Sequence, residues 1–208
     1  MKQILLISFI FTLISCNEKS EKLPYLGNHV EVTENGHSVV KKHFEVPEFK
    51  FVNQDKATVT NKTFKGKIYI ADFIFLRCPT ICPVMNLQMK RVYDAFKEDE
   101  QVLFVSHTID PENDSVEVLK AYADKLGVDS KKWHFLHGDK KEIYDLAEKG
   151  YFAQAYEDMD APGGFAHSGG FVLVDEKGHL RGVYDGTNAE DVDRLMKEVV
   201  ILLGENSK

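Results

Sequence analysis

Two nearly unbroken apolar runs, Ile68 to Phe75 and Val102 to Ile109, limit what this chain can fold into more than any other feature. A strand that alternates apolar and polar residues keeps one wet face, whereas a run apolar at almost every position is covered on both. Between the runs lies a helical stretch, with Met85, Met89, Val92 and Phe96 recurring at spacings of four, three and four as one apolar stripe. Strand, helix and strand in that order call for a parallel or mixed sheet covered by helices.

The flanking sequence extends the same plan. Phe49 to Asn53 and Ala57 to Thr60 enclose Gln54-Asp55-Lys56 as an N-terminal hairpin would. Asp114-Ser115-Val116-Glu117 has the spacing of a capping box, ahead of Leu119, Tyr122, Ala123 and Leu126, with Gly127 as the stop. Asp139 to Glu142 repeats the device before Ile143, Leu146 and Ala147, and Gly150 ends that helix. Trp133 to Leu136 reads as a short strand between the two helices. Gly170 to Asp175 and His179 to Tyr184 form a terminal hairpin, and Val192, Leu195, Met196, Val199 and Leu203 make a closing amphipathic helix. The expected fold class is α/β, a mixed central sheet flanked by helices with an extra N-terminal β-hairpin.

At 208 residues and 43% hydrophobic composition the chain can bury one good core, so one domain with a short leader is expected. Its formal charge of −7, from 26 basic and 33 acidic side chains, carries no electrostatic footprint for nucleic acid. Lys2 and the apolar stretch Ile4 to Ile14 have the shape of a signal peptide, and that stretch is too short to span a bilayer comfortably. Leu13-Ile14-Ser15-Cys16 resembles the lipobox of bacterial lipoproteins, which implies cleavage before Cys16, lipidation of its thiol and a membrane-held, periplasm-facing protein. The alternative is an ordinary secretory signal with an incidental cysteine. Residues 1–15 are thus expected to be the signal peptide, 16–42 a polar tether, and 43–208 the folded domain.

With Cys16 set aside, Cys78 and Cys82 remain, four positions apart where the first apolar strand gives way to a helix. Two such sulfurs can converge on one metal ion or oxidise to a disulfide. A helix N-terminus beyond them favours thiolates. Pro83 fits the first helical position, which places Cys82 at the cap and Cys78 in the loop before it. Asp72, in an otherwise apolar strand, is either a buried acid that tunes thiol ionisation or a hydrogen-bonded structural carboxylate; Arg77 either favours the adjacent thiolate or faces solvent. The methionine stripe reads as core, although thioethers also bind copper(I). Among the other histidines only His107 stands out, and weakly. Asp110 and Asp114 suit a calcium ion, but the capping-box spacing accounts for Asp114 without one.

Four stretches together resemble the Sco/SenC family of copper-binding, thioredoxin-like proteins that assist cytochrome c oxidase assembly. They are Asp72 to Pro83, Ser106 to Leu119 with its Asp-Pro-Glu-Asn-Asp run, Trp133 to Asp139, and Ala166 to Asp175 with its His-Ser pair. Leu76 and His137 stand where the family often has Thr. The resemblance implies a thioredoxin-like fold in which Cys78, Cys82 and His167 bind one copper ion, Cu(I) or Cu(II), and the cysteines act as a redox-active dithiol. It also implies two partners, the copper-centre subunit of the oxidase and a thiol-disulfide reductant. Ligand type alone leaves zinc open, though closed zinc sites call for a fourth donor. A thiol-disulfide oxidoreductase acting on the oxidase's own cysteines is the alternative function, and a purely structural disulfide would leave His167 unexplained. His167 is expected on a loop entering the terminal hairpin, with Pro162-Gly163-Gly164 before it as a mobile segment that swings the histidine on and off the metal.

Overall fold

Strand Ile68–Ile74 is buried at all seven positions, as is Val102–Thr108 beside it, and the rest of the domain is arranged around this parallel pair. The computed structural model of the protein describes residues 22–34 and 37–206. In chain order the elements are β1 (Val30–Glu34), β2 (His37–Lys42), β3 (Lys50–Asn53), β4 (Thr58–Thr60), α1 (Asn61–Phe64), β5 (Ile68–Ile74), α2 (Cys82–Phe96), β6 (Val102–Thr108) and α3 (Val116–Leu126). They continue with β7 (Trp133–His137), α4 (Lys140–Gly150), β8 (Ala155–Glu157), β9 (Phe165–His167), β10 (Gly170–Val174), β11 (Leu180–Asp185) and α5 (Ala189–Asn206).

Seven strands form one mixed sheet in the order β11-β10-β5-β6-β7-β3-β4. β5, β6 and β7 run parallel, while β10, β11, β3 and β4 are added antiparallel at the two sides. The expected N-terminal hairpin is β3 and β4, and it forms one edge of the sheet. Alternate residues of β5 supply two cores. Ile68, Ile70 and Ile74 meet Met85, Met89 and Val92 of α2 with Leu119 of α3 and Val192 and Leu195 of α5, whereas Tyr69, Ala71 and Phe73 pack with Ile143, Leu146 and Ala147 of α4. This is a thioredoxin-like α/β fold. Both methionines of the stripe are fully buried, so they serve as core.

The capping pattern holds in one place and shifts in another. Asp139 caps α4 by accepting from the Glu142 amide at 3.0 Å. α3 is capped instead by Ser115, whose hydroxyl accepts from the Val118 amide, so Asp114 lies outside the helix and its carboxylate is turned elsewhere. α2 starts one residue earlier than expected: Cys82 is its first residue, and Ile81 caps it without a side-chain hydrogen bond.

The stretch expected as a tether is structured over much of its length. β1 and β2 pair antiparallel as an exposed ribbon. Leu23 is buried, and its amide donates to Glu205 at the end of α5. The buried Arg181 guanidinium donates to the carbonyls of Leu23 and Pro24, and the Leu26 amide donates to the Leu180 carbonyl. Leu180 opens β11 opposite Val174, which itself pairs with Tyr69 near the start of β5. The strap is therefore latched at the pole where β5 begins, about 20 Å of strand away from where it ends. Cys16 and the expected signal peptide lie outside the described residues, and no helix among the described residues is long and apolar enough to cross a membrane.

Candidate metal centre

The site lies at the C-terminal end of β5, where pairing with β6 stops. After Phe75 the chain turns, and the Cys78 amide donates to the Phe75 carbonyl at 3.1 Å. Cys82 follows at the first turn of α2, which brings its sulfur back toward that of Cys78. The third group arrives from the far end of the sequence. β8 and β9 form a two-stranded antiparallel ribbon separate from the main sheet, and His167 is the last residue of β9. It was expected on a loop and instead occupies a paired strand, opposite Ala155.

The Sγ atoms of Cys78 and Cys82 and a ring nitrogen of His167 all lie within 4.8 Å of one another, and Cys82 Sγ is 3.4 Å from His167 Nε2. Metal bonds of about 2.3 Å to sulfur and 2.0 Å to nitrogen place ligands around one ion roughly 3.5 to 4.5 Å apart, so this group fits a single metal with little adjustment. The three residues form the only such cluster of His, Cys, Asp and Glu among the described residues. Both cysteines are free thiols. The imidazole is walled by Phe75, whose ring meets it edge-on at 5.4 Å, and Phe165 packs on Phe75 in turn.

The two sulfurs are unequal. Burial alone would raise the Cys78 thiol, but hydrogen bonding with the Cys82 and Thr80 backbone, the Thr80 hydroxyl and the Cys82 thiol outweighs it and holds Cys78 below the ordinary thiol value. Burial pushes the Cys82 thiol up, the Phe75 backbone opposing and the nearby Cys78 and Asp72 adding to the rise. The helix N-terminus expected to favour both thiolates thus favours the one outside the helix. Burial also lowers His167, against the backbone of Ser168 and Phe73, which keeps the ring neutral and its lone pair free for a metal.

Asp72 is completely buried, and neither carboxylate oxygen has a hydrogen-bond partner. Burial pushes its carboxyl up to about 7, with Ser106 on β6 pulling the other way. The Arg77 guanidinium is turned to Asp110, 2.8 Å away, and its side chain is largely in solvent. Asp110 also accepts from Asn113, and Asp114 accepts from the Leu76 amide and the Thr108 hydroxyl through Oδ2, so both carboxylates are engaged in holding this loop.

The remaining histidines lie outside this centre. His107 is fully buried in a box of Phe49, Phe51, Phe73 and Tyr151, with both ring nitrogens unpartnered. His134 bonds the Asn53 amide and His137 the Pro111 carbonyl. Sequence reasoning missed the Thr80 hydroxyl, 3.6 Å from Cys78 Sγ, and the role of Asp114. The first lies within the cysteine motif itself, while the second was hidden by the capping-box spacing.

Fold and site together define a thioredoxin-like protein with a Cys-Cys-His cluster of metal-binding geometry at the end of its first parallel strand. The chain belongs to the SCO1/SenC family, whose sequence pattern matches residues 38–203. It is similar to a SCO1/SenC family lipoprotein from Bacillus anthracis, with 32% identity and a TM-score of 0.66 over 75% of this chain and 95% of the other. It is also similar to BsSco, a member of the Sco family of cytochrome c oxidase assembly proteins in which a disulfide switch has been identified, at 32% identity and a TM-score of 0.64 over 74% and 92%. The copper-bound ScoI of Arabidopsis thaliana matches at 26% identity and a TM-score of 0.65 over 78% and 99%.

Proposed function

We propose that this chain is an extracytoplasmic, membrane-held copper metallochaperone that passes copper to the dinuclear copper centre of a cytochrome c oxidase. The observation that carries the reading is the convergence of two thiols and one imidazole on a single point. Thiolates suit copper(I), and the imidazole extends the set toward copper(II). Three donors leave a coordination position through which a receiving ligand can enter, as handing the cargo on requires. Each cysteine loses its proton as it binds, and Cys78 is the readier to do so. Copper-bound and oxidase-assembly relatives support the metal and the recipient, and a lipoprotein relative supports an anchor at Cys16.

The inequality of the sulfurs favours a second activity at the same site. As a thiolate, Cys78 is suited to attack a disulfide in a client, releasing one client thiolate and leaving a mixed disulfide; the Cys82 sulfur then displaces the second client thiol and closes a Cys78–Cys82 disulfide. The client gains two electrons and two protons, this chain loses them, and an external dithiol must restore it. Metal analysis and absorption spectroscopy of the reduced, copper-loaded domain test the main reading. His167→Ala should sharply weaken copper(II) binding while the dithiol/disulfide couple still works, and Cys78→Ser or Cys82→Ser should abolish both. Unchanged copper affinity in His167→Ala would remove this ligand set.

A further inference from the structure

The loop that presents Cys78 is fastened to the sheet by one side chain. Ladder pairing between β5 and β6 ends where the Ile109 amide donates to the Ile74 carbonyl at 2.8 Å. Beyond that point the Leu76 amide has no strand partner, and it donates instead to Asp114 Oδ2 at 3.1 Å. The same oxygen accepts the Thr108 hydroxyl at 2.6 Å, from the last residue of β6. Asp114 and Thr108 are both essentially inaccessible to solvent. Ser115 has taken over the capping of α3, which leaves the Asp114 carboxylate free for this task. From this geometry we infer that Asp114 is a positioning residue for the metal centre: it adds a side-chain rung between the ends of β5 and β6 and thereby sets where the loop holds Cys78 relative to Cys82.

Residues 75–78 turn within four positions, tied by the Cys78 amide to the Phe75 carbonyl at one end and by the Leu76 amide to Asp114 at the other. Without the second tie the part-buried Leu76 amide loses its acceptor and the loop gains alternative conformations, most of which carry Cys78 Sγ away from Cys82. Closing a disulfide or sharing a metal then has to re-order the loop, so both are weakened. The role depends on an acceptor rather than on charge. Asp114 Oδ1 has no partner, so an Asn at this position can keep its oxygen where Oδ2 lies and set its amide where Oδ1 lies.

This inference rests on the site reading given above, and the experiment separates the two. The full domain and its Asp114→Ala and Asp114→Asn variants are equilibrated with reduced and oxidised glutathione, and the fraction of Cys78–Cys82 disulfide is measured. Copper(I) affinity is measured separately by competition with bicinchoninate. Asp114→Ala should disfavour the disulfide by about tenfold, a rise of roughly 30 mV for a two-electron couple, and weaken copper(I) by a similar factor. Asp114→Asn should restore both to near the parent values. If Asp114→Ala leaves the glutathione equilibrium unchanged, or if Asn and Ala shift it alike, the positioning role is overturned. Absence of copper binding in the parent would sink the chaperone reading and leave the glutathione measurement intact. Should Asp114→Ala not fold, amide exchange in the parent decides: the Leu76 amide must be as protected as those of β5, and rapid exchange there overturns the inference.

Discussion

Gly163 lies against the ring of Phe75, so close that a Cβ at Gly163 would stand 2.8 Å from Phe75 Cε2 and 3.3 Å from Pro79 Cδ. The turn that leads to His167 therefore touches the loop that leads to Cys78. Two halves of the centre, remote in sequence, are set against each other by the absence of a side chain. Gly163 also has φ +84°, a conformation that favours glycine, and the turn is closed by hydrogen bonds from Asp158 to Gly164 and from Gly164 to Ala161. The glycines expected to make this segment mobile have a structural use here.

Gly163→Ala should accordingly push the β8–β9 ribbon off Phe75. The expected outcome is a loss of about 1–2 kcal/mol of stability from strain at positive φ together with weaker copper binding. Gly164→Ala is the control, because φ there is +85° but no atom lies within 4 Å of the added Cβ. Urea unfolding should show both variants weakened, whereas copper titration should distinguish them, with only Gly163→Ala impaired.

The inequality of the thiols gives a second expectation. Cys78 is held below the ordinary thiol value while Cys82 is more deeply buried and raised. At pH 7 to 8 iodoacetamide should label Cys78 at least about tenfold faster than Cys82, since the thiolate is the nucleophile. Peptide mapping by mass spectrometry reads the ratio, and equal rates would contradict the asymmetry.

Stability should vary with pH through three buried groups of opposing sign. Burial lowers His107 to about 3, and lowers His134 to about 4 with Asp129 and Asp55 opposing. Between roughly pH 6.5 and 4 the unfolded chain binds protons that these native rings refuse, so stability falls as pH falls through that window. Asp72 acts the other way. Its carboxyl, raised to about 7, keeps in the native state a proton that the unfolded chain releases near pH 4, so stability falls as pH rises from about 4 to 7. His107→Leu should flatten the acid limb of a urea-midpoint profile, and Asp72→Asn should gain stability at pH 8 but not at pH 4.

The N-terminal strap depends on Arg181, which is 3% exposed and bonds Leu23, Pro24, Asp175 and Glu205 while stacking over Tyr25. Arg181→Ala leaves the two carboxylates without their cation and the two carbonyls without a donor. A loss of about 3 kcal/mol or more is expected, measured as a lowered Tm, with early proteolysis near Leu23.

The central sheet was legible because β5 and β6 are apolar on both faces, a pattern with few structural solutions. The cysteine pair was equally plain. His167 was legible only through the family resemblance, since nothing in its local pattern marks a ligand. The ribbon that carries it escaped notice because three-residue strands such as Ala155–Glu157 are too short to show a period. The same limit hid the strap, where Leu23 is a lone apolar residue whose partners lie more than 150 positions away. Asp114 was misread for a different reason: a one-residue shift of the helix start leaves the capping-box spacing almost intact but transfers the cap to Ser115. His107 stands out only weakly among the histidines of the sequence, although its place inside a doubly covered strand already implies burial.

The latch at Leu23 has a consequence for how the protein meets other molecules. Whatever lies upstream of that residue joins the domain at one pole, while the sulfurs and the imidazole sit at the other. A domain moored by its leader would therefore offer its cargo at the free tip, and a recipient would approach from the side facing away from the mooring.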